Sequence, residues 1–193
     1  DIGGSIRIPA TCCGIVGLRT GFGRVPAINF SSPGGRPMGG QLMSVQGPHT
    51  RSVRDARLAL AAMSHGDRRD WKWADMPLQG PPPARPIRVA LVPQVPGGST
   101  HSAQADAVRT AGRHLAAAGY RVEEVLPPDI PRVVELWHRV CVTDVFSGLW
   151  PLMQQVGDPD GQASMGAWLA AHPPTDLAGY IGALTERDAL QMR

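Results

Sequence analysis

Asp1-Ile2-Gly3-Gly4-Ser5-Ile6-Arg7-Ile8-Pro9-Ala10 opens the chain and decides how the rest is read. Two adjacent glycines let the backbone turn sharply and come close to a ligand. Successive N–H groups in such a turn can converge into an anion-binding nest. Ser5 closes the turn, where its hydroxyl can reach a carbonyl held in that nest. A nucleophile beside N–H donors aimed at a developing oxyanion is what acyl transfer requires. Gly-Gly-Ser alone is also an ordinary flexible turn, so the surrounding residues carry the distinction. Arg7, between Ile6 and Ile8, is placed to hold the turn through its guanidinium.

The string resembles the end of the signature of the amidase signature family, serine hydrolases that use a Ser–cis-Ser–Lys triad. The family's fixed positions are matched by Asp1, Gly3, Ser5, Ile6, Arg7, Pro9 and Ala10. Cys13-Gly14-Ile15-Val16-Gly17-Leu18-Arg19-Thr20-Gly21-Phe22-Gly23-Arg24-Val25 is similar to a second family segment. Gly47-Pro48-His49-Thr50-Arg51-Ser52-Val53-Arg54-Asp55-Ala56 is similar to a third. The three matches keep the family's order and cover about the first third of the chain.

The resemblance implies an α/β fold, a mixed sheet flanked by helices on both sides, incomplete in this chain. It implies an amidase: Ser5 as nucleophile, the backbone N–H groups of Ile2, Gly3 and Gly4 as oxyanion hole, and Asp1 and Arg7 as structural support. No metal or organic cofactor is called for. In the family the catalytic lysine and the cis-serine lie upstream of the Gly-Gly-Ser string. The chain is therefore expected to be an internal or C-terminal piece, inactive or nearly so by itself. Its one lysine, Lys72, does not align with the family's lysine. Three alternatives stand beside this reading: the A subunit of a tRNA-dependent amidotransferase, a non-catalytic relative of the fold, and a plain α/β binding domain in which the Gly-Gly-Ser string is accidental.

Composition bounds the rest. At 193 residues, 42% hydrophobic and 18% charged, the chain reads as globular. The net charge of +3 is mild, and basic residues form no block. Nucleic acid is not an expected partner. No apolar run reaches the ~20 residues of a membrane helix. The expected partner is a small-molecule amide, with a homodimer left open. Cys12, Cys13 and Cys141 have no metal-type spacing. They read as buried, reduced thiols in a cytoplasmic protein.

Residues 1–193 are expected to form a partial amidase domain in four stretches. The first, 1–66, is a catalytic-core segment. Ile6 to Leu18 should be buried, with a short strand over Ile15–Leu18. Thr20 to Gly47 reads as a long irregular segment with Met38, Leu42 and Met43 as apolar pocket wall. Ser52 and Asp55 form a capping signal for a helix with an apolar stripe through Val53, Ala56, Leu60 and Met63, ending near Gly66. The second stretch, 67–86, is a connector held down by Trp71 and Trp73. The third, 87–126, is a βαβ unit: strands at Ile87–Val92 and Tyr120–Val125, and a helix over Ser102–Ala118 whose Ala107, Val108, Ala111 and Leu115 lie on the sheet. The turn Gly97-Gly98-Ser99 lacks a Walker lysine and a full dinucleotide fingerprint. The fourth, 127–193, is helical: Pro131–Phe146, then a loop from Trp150 to Met165, with helices over 163–169 and 176–192. By the resemblance this region shapes the substrate channel, which makes Trp137, Phe146, Leu149 and Trp150 specificity candidates beside Met38. Core packing is the competing role for each.

Overall fold

The computed structural model describes residues 1–28 and 35–192. The chain divides into two compact units, Asp1–Gly80 and Pro81–Arg193. The division falls within the proline-rich 67–86 stretch.

In the first unit the opening turn runs directly into helix α1 (Arg7–Cys13). Pro9 is tolerated there because the N–H groups of a helix's first turn have no intrahelical partner. Gly14, at φ 62°, ends the helix in the left-handed region. Only Ile6 and Ala10 of this stretch are buried, while Ile8, Cys12 and Cys13 face solvent. The expectation of a buried Ile6–Leu18 segment is corrected, and with it the expected burial of the Cys12 and Cys13 thiols. Ile6 and Ala10, four residues apart, form one narrow helical face that meets the core.

Strand β1 (Val16–Gly17) then pairs antiparallel with β2 (His49–Thr50), Val16 opposite Thr50 and Gly17 opposite His49. Between them lies a short helix, α2 (Met38–Met43). The irregular reading of Thr20–Gly47 therefore fails over those six residues. Two glycines permit close contact at the strands. A Cβ on Gly47 would lie 1.9 Å from the Leu18 carbonyl oxygen, and one on Gly17 would lie 2.7 Å from both Ala10 Cβ and the Ile6 carbonyl oxygen.

Helix α3 (Val53–Met63) starts as its capping signal predicts: Ser52 Oγ accepts from the Asp55 N–H at 3.1 Å. Ala56 is its buried contact, whereas Val53 is exposed and drops out of the apolar stripe. The stretch after α3 is docked onto the first unit. The buried Asp70 carboxylate accepts from the Ala27 and Lys72 N–H groups at 2.8 and 3.1 Å. Arg24 donates to the Met76 and Pro77 carbonyls. Trp73 packs over Gly66 and donates to the Ser64 carbonyl at 3.2 Å. Trp71 does not share that role, being 77% exposed.

The second unit opens with the βαβ element. Strand β3 (Arg88–Leu91) lies parallel to β4 (Arg121–Glu124), in register from Arg88 opposite Arg121 to Leu91 opposite Glu124. Helix α4 (Ser102–Ala117) connects them. Its inner face is Ala105, Val108, Gly112 and Leu115, while Ala107 and Ala111 are exposed. The face is rotated by part of a turn from the one expected. Gly112 sets the contact, since a Cβ there would lie 2.9 Å from a methyl of Leu91.

Helix α5 (Ile130–Asp144) carries Pro131 in its first turn. It buries Leu136, Val140, Cys141 and Val142, while Val133 and Val134 stay exposed. Each fully buried valine contributes about 1.5–3 kcal/mol. The helix does not stop at Phe146. It widens into a π-helical turn (Val145–Leu149) and continues as α6 (Trp150–Val156). Pro151 explains the widening, because it removes one N–H from the ladder and crowds the turn before it. Helix α7 (Pro159–Ala171) follows, capped by Asp158, whose side chain accepts from the Gly161 N–H at 2.9 Å. The loop expected over Trp150–Met165 is thus helical on both sides of Gly157. Helix α8 (Leu177–Gln191) packs on α5. Arg132 is paired with both Glu186 and Glu135, and Tyr180 Oη donates to Asp144 at 2.6 Å.

Candidate active site

The Ser5 turn is organised around one carboxylate. Asp1 Oδ1 accepts from the Gly4 N–H at 3.0 Å, and Oδ2 accepts from the Ile6 N–H at 3.1 Å and the Arg7 N–H at 3.4 Å. The Arg7 guanidinium closes on the same group, with Nη2 to Oδ1 at 2.9 Å and Nε to Oδ2 at 3.2 Å. The Asp1 side chain is 1% exposed, a burial that charged hydrogen bonds must compensate. Gly4, at φ 112°, takes a conformation open to glycine. Asp1 is itself anchored at Val45: the two residues exchange both main-chain hydrogen bonds, that from the Val45 N–H at 3.2 Å.

These contacts leave Gly3 and Ser5 on the surface of the turn. Ser5 lies immediately before the first turn of α1, whose N–H groups carry the positive end of the helix dipole. The Gly4 N–H is engaged by Asp1 and belongs to the framework of the turn. Its expected place among the oxyanion donors is corrected to that extent.

The floor beneath the turn comes from β1 and β2. The Leu18 N–H donates to the Pro48 carbonyl at 3.1 Å, and Thr20 Oγ1 donates to the Gln46 carbonyl at 2.7 Å. His49 Nε2 lies 2.7 Å from the Ile6 carbonyl oxygen. Sequence reasoning passes over His49 because it fills a variable position in the Gly-Pro-x-x-Arg segment. A ring donor on the strand opposite Gly17 is the signal available.

The remaining candidates fall elsewhere. Met38 begins α2 in the first unit and is exposed. Trp137, Phe146, Leu149 and Trp150 belong to the second unit. Trp137 stacks at a tilt against Trp168 of α7, with centroids 6.2 Å apart. Trp150 packs over Gly166. Both rings thus join helices within that unit, whereas Phe146 and Leu149 are exposed along the π-helical turn. Lys72 lies against the Trp71 ring, its Nζ 5.6 Å from the centroid.

The family model described as Amidase matches residues 1–190. The chain belongs to the amidase family. An indoleacetamide hydrolase of Bradyrhizobium diazoefficiens is 39% identical over 188 residues, 97% of this chain and 36% of that protein. A second, from Bradyrhizobium japonicum, is 44% identical over 157 residues, 81% of this chain and 33% of that protein. The A subunit of the glutamyl-tRNA(Gln) amidotransferase of Akkermansia muciniphila is 31% identical over 157 residues, 77% of this chain and 32% of that protein. The chain spans about a third of the length of these amidase-family relatives. Among solved structures, 6-aminohexanoate cyclic dimer hydrolase in complex with its substrate aligns with a TM-score of 0.70 at 19% identity, covering 96% of this chain and 41% of that one. This likeness shows the fold to be the α/β amidase-signature type, a mixed sheet with flanking helices. No helix among the described residues is long and apolar enough to cross a membrane.

Proposed function

We propose that this chain supplies the nucleophile of an amidase that hydrolyses a carboxylic amide to an acid and ammonia or an amine. Ser5 attacks the amide carbonyl, and the turn at Ile2-Gly3 receives the oxyanion through its peptide N–H groups, with Gly4 held to Asp1 as part of its frame. The tetrahedral intermediate collapses to an acyl-Ser5 ester as the amine leaves with a proton. Water then hydrolyses the ester and regenerates Ser5. One well-placed oxyanion donor is worth roughly 10²–10³ in rate.

The observation that carries this reading is the exposed Ser5 on a turn whose residues on both sides, Gly4 and Ile6, are tied to Asp1. Such anchoring holds a nucleophile ready before substrate arrives. The base and relay implied by the amidase resemblance are a lysine and a cis-serine. Lys72 is the one lysine in these 193 residues and does not align with the family's lysine, so on this reading residues 1–193 alone are inactive or nearly so. The two indoleacetamide hydrolases at 39% and 44% identity support an arylacetamide as the substrate class, with indole-3-acetamide as the first compound to test. Ammonia release from it by the complete protein, lost on Ser5→Ala, supports the proposal. Release that persists at the full rate after Ser5→Ala refutes it.

A second reading is ammonia-supplying amidase chemistry within a tRNA-dependent amidotransferase, favoured by the 31% identity to the A chain of such an enzyme. Co-purification with partner proteins would select it, and turnover by the isolated protein would select the hydrolase.

A further inference from the structure

We propose that His49 is a positioning residue for Ser5, holding the backbone just after the nucleophile from the opposite strand. The inference rests on Ser5 being the nucleophile. The Ile6 carbonyl oxygen can only accept, so His49 Nε2 carries a proton and donates to it across 2.7 Å. The helical bond that Ile6 would make in α1, from the Ala10 N–H, is stretched to 3.4 Å. His49 is therefore the principal donor to that oxygen. On the other side, the Ile6 N–H is held by Asp1 Oδ2 at 3.1 Å. The peptide group joining Ser5 to Ile6 and the one following it are thus each fixed by a side chain, one by Asp1 and one by His49.

The sheet register brings the ring to that place. His49 stands opposite Gly17. A Cβ on Gly17 would lie 2.7 Å from the Ile6 carbonyl oxygen. The bare glycine lets the Ile6 carbonyl come down onto the strand pair, where the ring meets it. Both the neutral Nε2–H tautomer and the imidazolium can donate, so the contact serves position and does not depend on a change of charge.

Removing the donor should loosen the Ile6–Arg7 peptide that follows the nucleophile and slow attack, with substrate binding left nearly unchanged. The test is the rate at which a fluorophosphonate acylates Ser5 in the complete protein, with kcat and KM measured on the same samples. His49→Phe keeps the ring and deletes the donor. His49→Gln restores an N–H at nearly the same reach, and His49→Asn carries an N–H too short to arrive. The expected result is labelling and kcat at least tenfold slower for Phe and Asn, KM within about twofold, and recovery in Gln to within about threefold. Should His49→Phe fail to fold, the Asn and Gln pair decides alone. Equal rates in Gln and Asn, or a wild-type rate in Phe, overturn the role of His49. Absence of label on Ser5 in the unaltered protein refutes the amidase reading itself, so the two failures are distinct.

Discussion

Asp1 and Arg7 form a two-pronged ion pair, Nη2 to Oδ1 at 2.9 Å and Nε to Oδ2 at 3.2 Å, on either side of the serine they frame. The carboxylate is buried and the guanidinium largely exposed. The two residues are six apart in sequence, so the pair closes the turn into a ring around Gly3, Gly4 and Ser5. Asp1→Asn preserves shape but places an amide NH₂ against N–H donors that need an acceptor. We expect a loss of about 2–3 kcal/mol in unfolding free energy and a clear fall in Ser5 reactivity, read by denaturant titration and by the labelling rate. A variant as stable and as reactive as the parent would show that the carboxylate does not organise the turn.

Gly47 lies where two main-chain segments meet, and a Cβ there would sit 1.9 Å from the Leu18 carbonyl oxygen. The Leu18 backbone on one side and the buried Ile6 side chain on the other leave little room to move. Gly47→Ala should destabilise the protein by about 3 kcal/mol. Gly21→Ala, where an added Cβ meets nothing within 4 Å, should change stability by about 0.5 kcal/mol or less. Thermal or denaturant unfolding of the two variants side by side checks the contrast.

Cys141 is buried in α5, and burial pushes its thiol up to about 12, with the nearby Asp144 charge acting in the same direction. The folded state therefore holds this proton more tightly than the unfolded chain does. Stability from this group is complete below the unfolded thiol's value of about 9 and is lost as pH rises towards 12. At mildly alkaline pH a thiol reagent should modify Cys12 and Cys13, which are exposed, and spare Cys141 until denaturant is added. Three rapid equivalents in the native protein would contradict the burial.

His138 of α5 and His172, just after α7, stack face to face with centroids 3.8 Å apart and planes 8° from parallel. Burial first, and then the His172 charge, hold the His138 imidazolium below the ordinary histidine value. Glu135 and Arg139 line the same cleft. The folded state thus binds this proton less readily than the unfolded chain. Stability from the neutral His138 ring is present above the unfolded value of 6.5 and falls as pH drops through and below it. Unfolding midpoints between about pH 7 and 5 should fall for the parent and fall less for His138→Phe. Equal slopes would remove the stack as the cause.

The amidase framework is legible in the sequence because it rests on motifs that are local. Ser52 and Asp55 cap α3, and the two β-branched runs of the βαβ element pair in parallel register. The details that depend on packing are not legible. Composition alone does not show that Gly112, rather than Ala111, faces Leu91. The helix through Trp150 escapes a sequence reading because proline ordinarily breaks a helix, whereas the chain absorbs Pro151 in a π-helical turn. The start of α7 does carry a signal: Asp158 followed by Pro159 is an N-cap with proline at the first helical position. In the site, Gly-Gly-Ser locates the turn. The capture of the Gly4 N–H by Asp1 and of the Ile6 carbonyl by His49 depends on side-chain reach across 3 and 43 positions of chain.

The most direct test of the central claim is to treat the complete protein with a fluorophosphonate and map the modified residue by peptide mass spectrometry. The account predicts one adduct, on Ser5, that forms in step with loss of amide hydrolysis. An adduct on Cys12, Cys13 or another serine, with Ser5 unmodified and activity lost, would contradict it.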